Sequence, residues 1–228
     1  MTLKKCILVF FLFYGLGLQA QTRFKLLFES GVGYDKPNFF TFNHGLLVEK
    51  KLDINKSIET GWYGHEFGFY IDKKNDSFYQ AFIKNTKNEP LIDSINRITL
   101  SFKFVTIPIG FNYYISPKTY INYRIGFNFF SRGKFLGERV TASEDVTVFT
   151  GNFQGNIFRK FYTNHMISFN WIMLRRIDMG FGFWFTPAGS FIHDKRPVLR
   201  QFNNEISRYF ASSFHMKIFL FQAKTKKI

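Results

Sequence analysis

Five histidines, His44, His65, His165, His193 and His215, are the side chains of this chain best suited to acid–base work near neutrality. A lipid-modifying hydrolase would need one of them within reach of a serine and an orienting carboxylate. The nearest local pair, His165 and Ser168, is separated by an odd number of positions, which on a strand puts the two on opposite faces. Other fragments of catalytic patterns lack their partners. His65-Glu66 has no second histidine at zinc-protease spacing, and Gly31-Val32-Gly33 is half a dinucleotide fingerprint without a βαβ unit. Ser131-Arg132-Gly133-Lys134 has an acyl-enzyme spacing without the motifs that accompany it. Cys6 is the single cysteine, which excludes a disulfide framework and a structural zinc cluster. The expectation is a chain with no catalytic centre, no cofactor and no metal.

A second constellation is made of charges. Lys25, Glu29, Glu49, Arg124, Asp178, His215 and Lys217 all occupy the polar parity of alternating segments, so they are expected to share an enclosed face. A buried charge is costly unless paired. The expected network joins Glu29, Glu49 and Asp178 to Arg124, Lys25 and Lys217. Such a network either plugs an interior or gates a narrow path for small ions.

The elements that must position these residues are strands. In residues 119–130, Ile121, Tyr123, Ile125, Phe127 and Phe129 alternate with Asn122, Arg124, Gly126 and Asn128. The same period of two runs through residues 165–174, 177–185 and 210–220, and more loosely through 23–34, 39–52 and 56–71. Residues 97–115 change phase, with Ile98, Leu100, Phe102 and Phe104 on even positions and Val105, Ile107, Ile109, Phe111 and Tyr113 on odd ones. A bulge near Phe104, beside the donor-less Pro108, would keep all of them on one face. Eight strands result, joined by tight connections at 53–55, 116–118 and 175–176. Long ones are expected at 72–96, 132–162 and 187–206, the habit of outer-membrane barrels.

Alternation alone does not say which face is wet, because a soluble barrel inverts the pattern. Composition decides it. Aromatic residues are 21% of the 228 positions, 33 of them Phe, more bulk than an eight-stranded interior is expected to hold. The opposite face carries Gly, Asn and Ser where a water-facing surface would carry Lys and Glu. The aromatic face is therefore expected to meet lipid, with Tyr34, Trp62, Tyr113, Tyr120 and Trp171 as candidates for interfacial girdles. Backbone amides at that depth require a closed barrel.

Residues 1–20 read as a cleaved signal peptide: Lys4 and Lys5, an apolar run from Cys6, then Leu18-Gln19-Ala20 before Gln21. Residues 21–228 then form one all-β domain, an eight-stranded antiparallel up-and-down transmembrane β-barrel of the outer membrane.

The segment Thr106-Ile107-Pro108-Ile109-Gly110-Phe111-Asn112-Tyr113-Tyr114-Ile115 resembles a strand of the outer-membrane barrels of Bacteroidota known as porin-family or PorT-like. The Leu18-Gln19-Ala20-Gln21 junction is also similar to that group's export signals. The resemblance implies a barrel and leaves activity open. Its C-terminal part departs from the family, since Phe219 and Phe221 are followed by a basic tail rather than a terminal aromatic.

The formal charge is +15, from 31 basic and 16 acidic residues. Much of the excess gathers where the tight turns are expected, at Lys50, Lys51, Lys56, Lys118, Arg175 and Arg176, with Lys224, Lys226 and Lys227 in the tail. An exported barrel excludes nucleic acid as the partner of this charge. Outer-membrane lipids are the expected partners, with an acidic periplasmic protein as the alternative for the basic rim. An extracellular protein is the expected partner for the long loops, where Phe135, Phe149, Phe153, Phe158 and Phe161 lie among charges. The expected role is structural or interactive and non-enzymatic. A narrow pore or export accessory comes next, then a lipid hydrolase.

Overall fold

The computed structural model describes residues 22–33, 39–72, 97–140, 145–153, 160–173, 176–186 and 210–223. The expected signal segment at 1–20, the connections at 73–96 and 187–209, His193 and the tail at 224–228 lie outside the described residues.

Nine strands follow in order: β1 (Thr22–Gly33), β2 (Phe39–Lys51), β3 (Lys56–Asp72), β4 (Arg97–Ser116), β5 (Thr119–Val140), β6 (Asp145–Phe153), β7 (Phe161–Met173), β8 (Ile177–Phe185) and β9 (Phe210–Ala223). Consecutive strands pair antiparallel except β6 and β7, β1 closes against β9, and β5 pairs with β4 on one side and β7 on the other. Eight strands thus form a closed up-and-down barrel. The ninth, β6, pairs with β5 alone. Closure leaves no open sheet edge around the ring of eight strands.

The strand β6 is a departure from the expected loop at 132–162. β7 covers β5 from Thr119 to Phe129, and β6 takes over from Gly133 to Val140. The outer half of β5 would otherwise present unpaired amides, so the chain folds back to satisfy them. Phe135 therefore lies in β5, Phe149 and Phe153 in β6 and Phe161 at the start of β7, while Phe158 lies outside the described residues.

The alternating faces separate as the period of two demands. Phe28, Phe42, Ile109, Phe111, Phe169 and Phe183 are among the large apolar side chains exposed on the outer surface. Four differences from expectation have clear causes. In β4 the even positions stay inward along the whole strand, so Leu100, Phe102 and Phe104 are buried in the interior while Val105, Ile109 and Phe111 face out. No extra residue stands in β4 near Phe104; the one it has is Ile115, at the end by the tight turn. The irregularity is across the ladder in β5, where Lys103 pairs with Arg132 and Phe104 with Phe130, leaving Ser131 as the extra residue. The interior also holds more rings than expected, including Tyr63, Phe67, Tyr162 and Trp184. Tyr63 has Gly45 directly beside it on the β2–β3 ladder, where a Cβ would stand 2.5 Å from that of Tyr63. Finally, Tyr120 is no girdle residue: it is fully buried and points inward with the even positions of β5, whereas Trp62 and Tyr113 do face out.

Candidate functional site

The interior is the site, and it is built in two storeys. Inward positions of β1, β2, β3, β5, β8 and β9 deliver Lys25 and Glu29, Glu49, Glu59, Arg124, Asp178, and His215 and Lys217, all at most 2% exposed. Strand alternation alone brings them there. What they touch is set by the barrel's diameter, because side chains from opposite walls meet at the axis.

Lys25 Nζ is the first junction. It lies 3.0 Å from Glu49 Oε2, 3.3 Å from Asp178 Oδ2 and 3.5 Å from Glu59 Oε2. Glu59 is the second. Lys217 Nζ donates to both of its oxygens at 3.1 Å, and Arg124 Nε stands 3.9 Å from Oε1. Arg124 Nη1 also donates to Glu29 Oε2 at 3.3 Å, and Glu29 accepts from Asn43 Nδ2 at 3.2 Å. Phenols and amides complete the carboxylates. Glu49 accepts from Ser57 Oγ at 2.5 Å, from Asn112 Nδ2 at 3.3 Å and from the Tyr114 hydroxyl. Asp178 accepts from the Tyr120 hydroxyl. Tyr120 also presents its ring to two ammonium groups, Lys25 and Lys217, each 5.6 Å from the centroid.

Among the described residues, three fully buried cations thus face four buried carboxylates. Arg23, at the inner rim, approaches Glu49 at 3.9 Å and brings the balance to four and four. This near-neutrality is the condition for holding charge in a narrow interior. All seven residues named from the sequence lie in this interior. The pairings differ in one respect, since Lys217 bonds to Glu59 rather than to any of the three acids expected. Glu59 was missed because residues 56–71 carry rings on both faces, which blurs the alternation. The available signal was the odd parity shared by Ser57, Glu59, Tyr63, His65 and Phe67, all of which are buried.

The second storey is aromatic and nearer the outer end. The His65 ring lies 5.8 Å from Phe104, 6.0 Å from Trp184 and 6.4 Å from Tyr162. Phe104 meets Tyr162 edge-on at 4.9 Å, and Phe67 stacks on Phe102 at 6.1 Å just beyond. Any ion moving along the axis would meet the charge network and then this apolar layer.

The histidines are placed as follows. His65 Nδ1 pairs with Asn43 Oδ1 at 2.5 Å, and His215 Nε2 with Asn170 Oδ1 at 2.5 Å. Asn170 in turn donates to Ser168 Oγ at 3.0 Å. The amide therefore stands between the imidazole and the hydroxyl, where a nucleophilic site needs the imidazole in the middle. His44 is on the outer surface beside Phe42, and His165 lies outside with Tyr123 Oη at 2.8 Å. His165 and Ser168 do lie on opposite faces.

No family model and no curated protein matches the sequence. Solved barrels resemble the fold. The attachment invasion locus protein Ail of Yersinia pestis is 7% identical, over 88% of this chain and 98% of that one, at a TM-score of 0.41. Neisserial surface protein A is 5% identical, over 86% and 96%, at 0.40. A de novo designed transmembrane β-barrel is 9% identical, over 86% and 95%, at 0.39. At these scores the fold assignment stands on the ring of strand pairings itself.

Proposed function

We propose that this chain is a small integral protein of an outer membrane, non-enzymatic, with a closed interior and a structural or interaction role played by its rims and outer strands. The observation that carries the reading is the inversion of polarity: three cations and four carboxylates sealed inside a ring whose outer face exposes Phe, Ile and Trp. A water-soluble protein would place these groups the other way round. Rows of phenylalanines facing acyl chains around a closed ring of paired strands are what a bilayer stabilises.

The bonded charges and stacked rings that meet across the interior favour a plug over a conducting path. The arrangement Ser168–Asn170–His215 supports a non-enzymatic role, as does the position of His165 on the lipid-facing surface. The likeness of residues 106–115 to PorT-like strands keeps an export accessory as the reading to test beside it.

Fractionation with heat-modifiable gel mobility tests the membrane barrel, and planar-bilayer recording tests the closed lumen. A folded, outer-membrane protein without stepwise conductance is the expected result. Recovery as a soluble protein would remove the reading altogether. Unchanged lipid A mass on overexpression is the expected outcome for a non-enzyme, and a changed mass abolished by His165→Ala would reverse that assignment.

A further inference from the structure

The extra residue in β5 changes what the barrel shows to its surroundings. From Tyr120 to Asn128 the even positions of β5 are buried; beyond Ser131 the odd position Gly133 is buried instead, and Arg132 and Lys134 are exposed. Without Ser131 the alternation would drive both cations into the interior, among Phe102 and Phe104. A bulge that re-aims side chains has a use at the place where they emerge. Here they emerge beside a third cation: Lys103 of β4 pairs directly with Arg132, and Ser101, two residues along the same face, pairs with Lys134.

Just inward of these cations the outer surface turns aromatic. Phe161 lies 5.3 Å from Phe129 and 6.4 Å from Phe127, with Val105 exposed on the adjoining strand. The sequence of surfaces is therefore apolar belt, then a basic cluster. Depth agrees. A strand rising about 3.3 Å per residue and tilted by about 40° crosses an apolar band of about 25 Å in roughly ten residues. Counted from Ile121, the first exposed apolar residue of β5, that distance ends near Phe130 and Ser131. Arg132 and Lys134 then stand in the headgroup zone of the outer leaflet. Two carboxylates share this face. Glu66 pairs with Lys103, their side chains in contact, and Glu138 accepts from Thr99 Oγ1 at 2.8 Å, farther out along β5 than Lys134. The cluster of Lys103, Arg132 and Lys134 with Glu66 keeps a net positive charge.

We propose that Lys103, Arg132 and Lys134 form a binding site for the phosphate groups of an outer-leaflet glycolipid, whose acyl chains lie against Phe129 and Phe161. The guanidinium of Arg132 presents paired N–H donors suited to phosphate oxygens, and the two ammonium groups add charge from either side. The belt beneath selects a lipid over a soluble anion, because it offers apolar contact to chains attached to the same headgroup. This inference rests on the outer-membrane reading above.

The test uses the full protein reconstituted in phosphatidylcholine vesicles containing diphosphorylated lipid A, with retained lipid counted by native mass spectrometry after extraction. Arg132→Gln with Lys134→Gln is expected to lower retention by roughly five-fold per cation, about 30-fold for the pair. Dephosphorylated lipid A is expected to be retained no better than phosphatidylcholine. Equal retention of phosphorylated and dephosphorylated lipid by the wild-type protein would overturn the site, whatever the variants do. So would full displacement by inorganic pyrophosphate, which would make it a soluble-phosphate site. Heat-modifiable mobility, read on the same samples, reports the membrane barrel separately: a folded barrel without lipid selectivity sinks this proposal alone.

Discussion

Lys217 sits directly across the β8–β9 ladder from Asp178, yet its ammonium is bonded to Glu59, three strands away around the ring. Asp178 is taken by Lys25 and Tyr120 instead. The interior charges therefore tie distant walls together, in addition to joining neighbouring strands as Lys25 and Glu49 do. Cross-links of this kind connect residues as far apart in sequence as Glu59 and Lys217, so they form only once the ring is closed.

Glu59 is the acid whose loss should matter most. It faces Lys25, Lys217 and Arg124, and Glu59→Gln leaves these cations with one carboxylate fewer. The expected cost is about 3–5 kcal/mol, the range for breaking a buried ion pair. Lys217→Met should cost less, because Glu59 keeps two other cations. Urea titration of the heat-modifiable band would measure both, and an equal cost for the two variants would argue against Glu59 as the junction.

The charged and aromatic storeys act in series, so opening one should not open the barrel. Arg124→Ala is expected to remain silent in planar bilayers. Combined with Trp184→Ala and Phe104→Ala, which empty the layer around His65, it should give discrete conductance steps. Steps from the wild-type protein would contradict a closed lumen.

Gly180 marks a place where the interior has no spare volume. A Cβ there would lie 2.3 Å from His215 Nε2 and 2.6 Å from Asn170 Oδ1. Gly180→Ala is expected to destabilise the barrel by about 1–3 kcal/mol, the usual cost of overpacking. His215→Ala in the same chain should recover part of the loss, and a titration showing no recovery would place the clash elsewhere.

Deleting Ser131 should invert the outer half of β5. In a Cys6→Ser background, Arg132→Cys is expected to react readily with a water-soluble maleimide and Gly133→Cys to be protected. The deletion should exchange the two reactivities. If Arg132→Cys stays reactive after the deletion, the strand has absorbed the change by another route and the bulge is not what directs these side chains.

Much of this barrel was legible because a strand reports its own faces. The parity that assigns Lys25, Glu29, Glu49, Arg124, Asp178, His215 and Lys217 to one side is a local property, fixed by backbone pleating. All seven are buried. The same reasoning faltered where two adjacent residue types were equally apolar. In residues 97–115 the change of phase suggests a bulge near Phe104, but it records two different surroundings along a strand that is unbroken there. Leu100, Phe102 and Phe104 line an interior that has become apolar, and Val105, Ile109 and Phe111 face outward. The actual bulge, at Ser131, sits among Arg, Gly and Lys, where hydrophobic alternation gives no reading.

The amino-acid sequence by itself determined the strands, their number around the ring and the split between a greasy and a polar face, since each follows from side chains two positions apart. Tertiary structure alone decided which charge meets which, that rings as large as Trp184 fit inside, and that β5 finds a second partner in β6. These depend on register and on the distance between opposite walls, and neither quantity exists until the barrel has closed.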